Sequence, residues 1–173
     1  TNNSDIWILD LTRSLLSRFT FDAAVEDDPV WSADGKYVYF SSAVDDQYDM
    51  RRKAANGIGS PEIVSPAGLS QRPIDISRDN KSLLYQVDNS KAGSDIWILA
   101  LDSAKKARPY LASEFSENYP HFSSGGKWLA YTSNESGKME VYVQSFSAIG
   151  GRWQVSVNGG SQPYWRQDSR ELF

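Results

Sequence analysis

The chain is 173 residues long, 40% hydrophobic and 23% charged, with six Trp, nine Tyr, no cysteine and a formal net charge of −4 at pH 7. That length sustains one domain with a core of its own, and the missing cysteines exclude disulfides and thiolate metal sites. The acidic balance argues against a nucleic-acid partner, and no apolar run approaches the roughly 18–20 residues of a helical membrane span, so no membrane insertion is expected. No long stretch keeps an i, i+3, i+4 apolar rhythm. Short runs of Val, Ile, Tyr, Phe and Trp, broken by Gly, Asp, Asn, Ser and Pro, predict an all-β chain.

In chain order, the first predicted strand is Asp5-Ile6-Trp7-Ile8-Leu9-Asp10-Leu11, followed by another around Ser17 to Phe21. The next unit opens with a strand running into Trp31. A tight turn follows at Asp34-Gly35, where glycine tolerates positive φ, and then the strand Lys36 to Ser41. A polar loop from Val44 to Gln47, an acidic-led strand at 48–53 and a weaker strand, Glu62-Ile63-Val64, complete it. The pattern then recurs. Asp5, Asp49, Asp95 and Glu140 lead equivalent strands at spacings of 44, 46 and 45. Trp31, Ile76, Phe122 and Trp165 precede equivalent turns at spacings of 45, 46 and 43. Four antiparallel strands in about 45 residues is the arithmetic of a propeller blade. Strands apolar on both faces, such as Ile6 to Leu9, fit sheets covered by neighbours on both sides.

The expected organisation is therefore one propeller or propeller segment over 1–173, with about four blades' worth of sequence. It comprises a half blade (1–22), three blades (23–66, 67–113 and 114–158) and a half blade (159–173). Unpaired half blades at the ends invite either closure within one chain or self-association through the terminal strands.

Pro29-Val30-Trp31-Ser32-Ala33-Asp34-Gly35-Lys36 and Ser133-Asn134-Glu135-Ser136-Gly137-Lys138-Met139-Glu140-Val141-Tyr142-Val143 resemble the blades of the TolB-like, WD-repeat-like β-propeller family. Departures are Ala33 for the motif proline, Gly125 for the turn aspartate of the third copy and Arg166 for serine in the last. The runs Arg72 to Tyr85 and Gly159 to Phe173 look like a subgroup of bacterial sensor propellers attached to a protein kinase or a winged-helix regulator. The resemblance implies a non-catalytic module that binds a protein or peptide, placed in the periplasm or outside the cell. The alternatives are the substrate-gating propeller of a larger hydrolase, such as a prolyl-oligopeptidase-like peptidase, and a structural or engineered fragment.

Repetition separates structure from function. Asp5, Asp49, Asp95 and Glu140, present in every copy, are expected to bind backbone amides or hold turns, as are Asp34, Asp79 and Asp168. Trp31, Phe122 and Trp165 are expected in the core. Functional residues should break the repeat where the innermost strands begin, at one mouth of a central channel. The residue before the large apolar one is Val30, Asp75, His121 and Tyr164 in turn. The entering segments add Glu26, Asp27 and Asp28; Gln71 and Arg72; Glu117, Asn118 and Tyr119; and Ser161 and Gln162. From these, Asp28, Arg72, Asp75, Asn118, Tyr119, His121, Gln162 and Tyr164 are the candidate ligand or partner residues, against the alternative of a solvated loop set. No catalytic residue, cofactor or metal is expected. The single histidine cannot build a zinc site of the usual kind without cysteine, and there is neither a Gly-x-Ser-x-Gly elbow nor a phosphate loop. Asp45, Asp46 and Asp49 lack the spacing of a calcium loop. Arg51-Arg52-Lys53 and Lys105-Lys106 read as solvated basic edges.

Overall fold

The computed structural model describes residues 3–44, 47–65, 69–89, 93–102, 106–146 and 150–173; Asp45, Asp46 and Lys105 lie outside them. Every regular element among the described residues is a strand. The chain divides into two compact units, Thr1–Pro73 and Ile74–Phe173.

The first unit opens with a hairpin of β1 (Trp7–Asp10) and β2 (Leu15–Arg18), in which Trp7 faces Arg18. Asp10 Oδ1 closes its turn by accepting the Thr12 and Arg13 amides at 2.9 and 3.0 Å. β2 lies earlier than the sequence reading placed it, because Thr20 leaves the ladder. Its hydroxyl, not its carbonyl, accepts the Ile6 amide at 2.9 Å. The adjoining sheet contains β3 (Val25–Trp31), β4 (Tyr37–Val44), β5 (Gln47–Ala54) and β6 (Glu62–Ile63), antiparallel and in sequence order. Ile6 and Phe19 of the hairpin segment pack on Val38 and Phe40 of β4. Buried Lys53 donates to the Phe19 carbonyl at 2.9 Å and lies 5.1 Å from that ring's centroid.

The unit boundary falls inside β7 (Gln71–Ile76). The next sheet adds β8 (Ser82–Asn89), β9 (Gly93–Ala100) and β10 (Ala107–Leu111), again in sequence order. The last four-stranded sheet comprises β11 (Glu117–Phe122), β12 (Trp128–Ser133), β13 (Glu140–Ser145) and β14 (Arg152–Gln154). Leu84, Ile96 and Ile98 of one sheet form a core with Phe122, Leu129, Tyr131 and Tyr142 of the other. Consecutive residues are buried, Leu83, Leu84 and Tyr85 among them. Both faces of β8 are therefore covered, which is why its sequence does not alternate. The final segment is a short hairpin. Trp165 bridges Leu172, and Tyr164 and Phe173 exchange both amide bonds at 2.9 Å.

One turn is built four times. The Gly35, Asn80, Gly126 and Ser169 amides donate to the carbonyls of Ser32, Ser77, Ser123 and Arg166 at 2.8–2.9 Å. All four donors have φ between 56° and 70°. In the first two copies the serine hydroxyl donates to Asp34 or Asp79 at 2.7 Å. That carboxylate in turn accepts the amide of Lys36 or Lys81 at 3.1 Å. These bonds, the serine's first, hold both carboxyls below the usual aspartate range.

The aromatic positions differ from expectation in two copies, Trp165 being only partly buried. Phe122 is buried and meets Phe146 edge-on at 4.7 Å. Trp31 is half exposed. Phe146 and Ala55 occupy equivalent sites, each donating its amide to the turn lysine's carbonyl, Lys127 and Lys36. A methyl group cannot cover an indole as a second aromatic ring covers Phe122.

Candidate functional site

The first strand of a repeat begins with a backbone device that the side chains then decorate. Asp28, Tyr119 and Gln162 all sit three residues before the large apolar position, and all have left-handed φ, at 53°, 51° and 54°. Each directly precedes a proline, Pro29, Pro120 and Pro163. In β3 and β11 the pairing register shifts at this point, between Asp27 and Val30 and between Asn118 and His121. A bulge bends its strand and re-aims the residues beside it. A non-glycine residue at positive φ is a strained position that the surrounding structure must maintain. The second repeat carries Pro73 at the same site, where the pyrrolidine ring forbids that φ, and positive φ does not recur there.

In the second unit, the residues just before the large apolar position form a row across three repeats. Asp75 Oδ1 accepts its neighbour's amide, Ile76, at 2.8 Å, and Oδ2 accepts the Phe122 amide at 2.8 Å. That second oxygen lies 3.7 Å from His121 Nδ1. The His121 ring stacks, tilted, on Tyr164 at 4.3 Å. The His121 carbonyl accepts the indole N–H of Trp165 at 3.1 Å. The carboxylate, the imidazole and the phenol are thus contiguous, with Tyr164 59% exposed.

Of the remaining candidates, Tyr119 is exposed, and its amide donates to Gln86 Oε1 at 3.1 Å. Asn118 is held between Gln86 and Ser116 at 3.2 and 3.0 Å, so its amide group is committed to the scaffold. Asp28, in the first unit, accepts the Ser41 hydroxyl at 3.0 Å. Arg72 lies 5.3 Å from the Tyr48 ring centroid. Gln162 is exposed. Gln86 and Ser41, on neighbouring strands, position these residues and carried no sequence signal. The proline after each bulge was a legible one.

Three residues read as part of a polar mouth do not face solvent. Glu26, Gln71 and Glu117 are buried. They occupy one repeat position, five residues before the large apolar one, where the strand turns them into the sheet packing. Burial raises the carboxyl pKa of both Glu26 and Glu117. Glu117 has the Ser113 hydroxyl, 2.5 Å away, in compensation. The repeated acids behave as structure where their partners are seen. Glu140 accepts the Gly159 amide at 2.8 Å and the Ser156 hydroxyl, and Asp5 pairs with Arg18 at 2.6 Å. Among the described residues no cluster of three or more His, Asp or Glu side chains has the arrangement to hold a metal ion.

No protein-family model and no curated protein matches the chain. Solved structures do. A protein described as TolB from Agrobacterium tumefaciens matches at 20% identity and a TM-score of 0.79, over 91% of this chain and 57% of its own. TolB from Acinetobacter baumannii matches at 16% and 0.75, over 97% of this chain and 42% of its own. A structure from work on two prolyl endopeptidases matches at 15% and 0.63, over 91% of this chain and 25% of its own. The chain therefore has a TolB-like β-propeller fold and spans about half the length of the TolB proteins it matches.

Proposed function

We propose that this chain is a protein- or peptide-binding propeller module, with the mouth formed where the first strands of the repeats begin. The observation that carries the reading is the row Asp75, His121 and Tyr164. A backbone frame repeated from blade to blade presents a different polar or aromatic group at each step, as a recognition surface needs and a purely structural repeat does not. Aromatic rings with one polar edge, such as Tyr164 and Tyr119, suit contacts that are part apolar and part hydrogen-bonded. In this reading the module binds its partner and carries out no chemistry of its own. The TolB-like fold agrees with a binding role within a larger bacterial protein, such as a sensor or scaffold, in the periplasm or outside the cell.

Panning a displayed library of short random peptides against the chain tests the mouth. Enriched peptides should lose about tenfold or more in affinity when His121→Ala and Tyr164→Ala are introduced together. Enrichment indifferent to both substitutions, or hydrolase or lyase turnover by the isolated chain, rejects the reading. The likeness to a prolyl-endopeptidase structure supports a second reading, an accessory propeller that gates substrate for a separate catalytic domain. A Gly-x-Ser-x-Gly domain encoded in the same reading frame would favour that one.

A further inference from the structure

We propose that the second unit holds a small-molecule site between two of its hairpin turns, where an aromatic carboxylate binds Arg78 and rests on Phe122 and Phe146. The turns are residues 77–80, joining β7 to β8, and residues 123–126, joining β11 to β12. Between them opens a cavity of about 460 Å³, whose lining includes Arg78, Asp79, Phe122, Gly125, Gly126 and Phe146. That volume lies in the range of ligand pockets. Both turns belong to complete four-stranded sheets, and none of the mouth candidates lines the cavity.

Three residues of this cavity break the repeat of the turn. The second turn residue is Ala33, Arg78, Ser124 and Gln167 in chain order, so only here is it a cation. The third is Asp34, Asp79, Gly125 and Asp168, so the wall from the third copy has lost its carboxylate. The fourth is Gly35, Asn80, Gly126 and Ser169. In the following pair of turns the Ser124 amide donates to Ser169 Oγ at 2.9 Å. The Arg78 amide holds the equivalent place, and its acceptor would come from position 126, which is a glycine. The place of a Cβ on Gly126 is open space, with no atom of the described residues within 4 Å beyond its chain neighbours. The bond that seals one pair of turns is thus absent from the other, and the room it leaves is the cavity.

The groups around the cavity define its ligand. Among the described residues the Arg78 amide and guanidinium have no protein partner. Asp79 is already engaged: it accepts the Ser77 hydroxyl at 2.7 Å and the Lys81 amide at 3.1 Å, with Lys81 Nζ 3.8 Å away. A planar anionic acceptor matches an arginine fork. The floor is apolar, since buried Phe122 meets partly buried Phe146 edge-on at 4.7 Å. A carboxylate attached to a ring satisfies the open donors and covers the aromatic floor at once. The inference rests neither on the mouth nor on a protein partner.

Titrating phenylacetate into the isotope-labelled chain, followed by amide NMR, tests the site. Phenylacetamide serves as the neutral isostere and inorganic phosphate as an anion without a ring. Phenylacetate should shift the Arg78 and Gly126 amide resonances saturably, and the other two should bind about tenfold or more weakly. Arg78→Gln should weaken phenylacetate by about tenfold and leave the melting temperature unchanged, since the guanidinium holds nothing in the protein. Gly126→Ser should abolish the shifts, because its hydroxyl takes both the Arg78 amide and the space. Ser169 shows that serine adopts this backbone in the same turn. The proposal is overturned by the absence of a saturable shift at concentrations on the order of 10 mM. Equal binding of phenylacetamide or phosphate, or unchanged binding by a folded Gly126→Ser chain, overturns it as well. Should Gly126→Ser not fold, Arg78→Gln decides alone.

Discussion

Single side chains in this protein are decided by what meets them when sheets stack, and Glu26 is the clearest case. It is 1% exposed, and neither carboxylate oxygen has a hydrogen-bond partner of good geometry. Burial, chiefly, raises its pKa above the ordinary 4.5. The Thr20 hydroxyl offsets part of this, and Asp22 and Asp5 add to the rise. The folded state therefore binds the Glu26 proton more tightly than the unfolded chain does. Stability from this group is fully present below the unfolded pKa and is lost as pH rises through the folded one. Thermal melts from pH 4.5 upward should show that loss, and Glu26→Gln should flatten it. At pH 7 the substitution should raise stability by about 1 kcal/mol, a few degrees in Tm. The neighbouring repeat already carries an amide at this position, Gln71. A variant with an unchanged pH slope would show that Glu26 is not the group responsible.

At the scale of the element, the four-residue turn explains why the repeat tolerates sequence drift. The turn needs one left-handed residue, and Gly35, Asn80, Gly126 and Ser169 all supply it. Serine is the least suited of these, since a Cβ at positive φ costs about 1–2 kcal/mol for an ordinary residue. Ser169→Gly should therefore stabilise the closing hairpin, by up to about 1 kcal/mol after the extra chain entropy of glycine is subtracted. Slower amide exchange at Ser169 and Phe173, whose amides donate to the Arg166 and Tyr164 carbonyls, would report it. One bond works against the gain: Ser169 Oγ accepts the Ser124 amide at 2.9 Å. Faster exchange in the glycine variant would mean that this bond outweighs the strain. The strands between turns were legible because their signals are local: β-branched and aromatic runs, a turn motif and a constant spacing. Strand ends were less so. β4 extends to Val44, beyond the predicted Ser41, because pairing with Gln47 carries the ladder on. That bond belongs to the partner strand and not to the propensity of Ser42 or Ala43.

At the scale of the whole molecule, stability of the second unit comes from the faces buried between its two sheets. Leu129 is fully buried in the core that joins the two sheets of the second unit. Leu129→Ala should cost about 3 kcal/mol through lost transfer energy and the cavity left behind. A lower denaturant midpoint at unchanged slope is the expected readout, whereas a changed slope would indicate an altered compact state.

The sequence by itself determined the all-β class, the 43–46-residue period, the blade strand order, the turn positions and the residues that vary from copy to copy. All of these depend on contacts within a few residues or on comparison of one repeat with the next. Only the tertiary structure decided that Asp75, His121 and Tyr164 are contiguous, that Asn118 is bound to Gln86 and that Glu26 and Glu117 are buried. Those contacts join residues on different strands or in different sheets. Their outcome turns on how the strands stack and on the volume of neighbours such as Phe146 or Ala55, which no local pattern encodes.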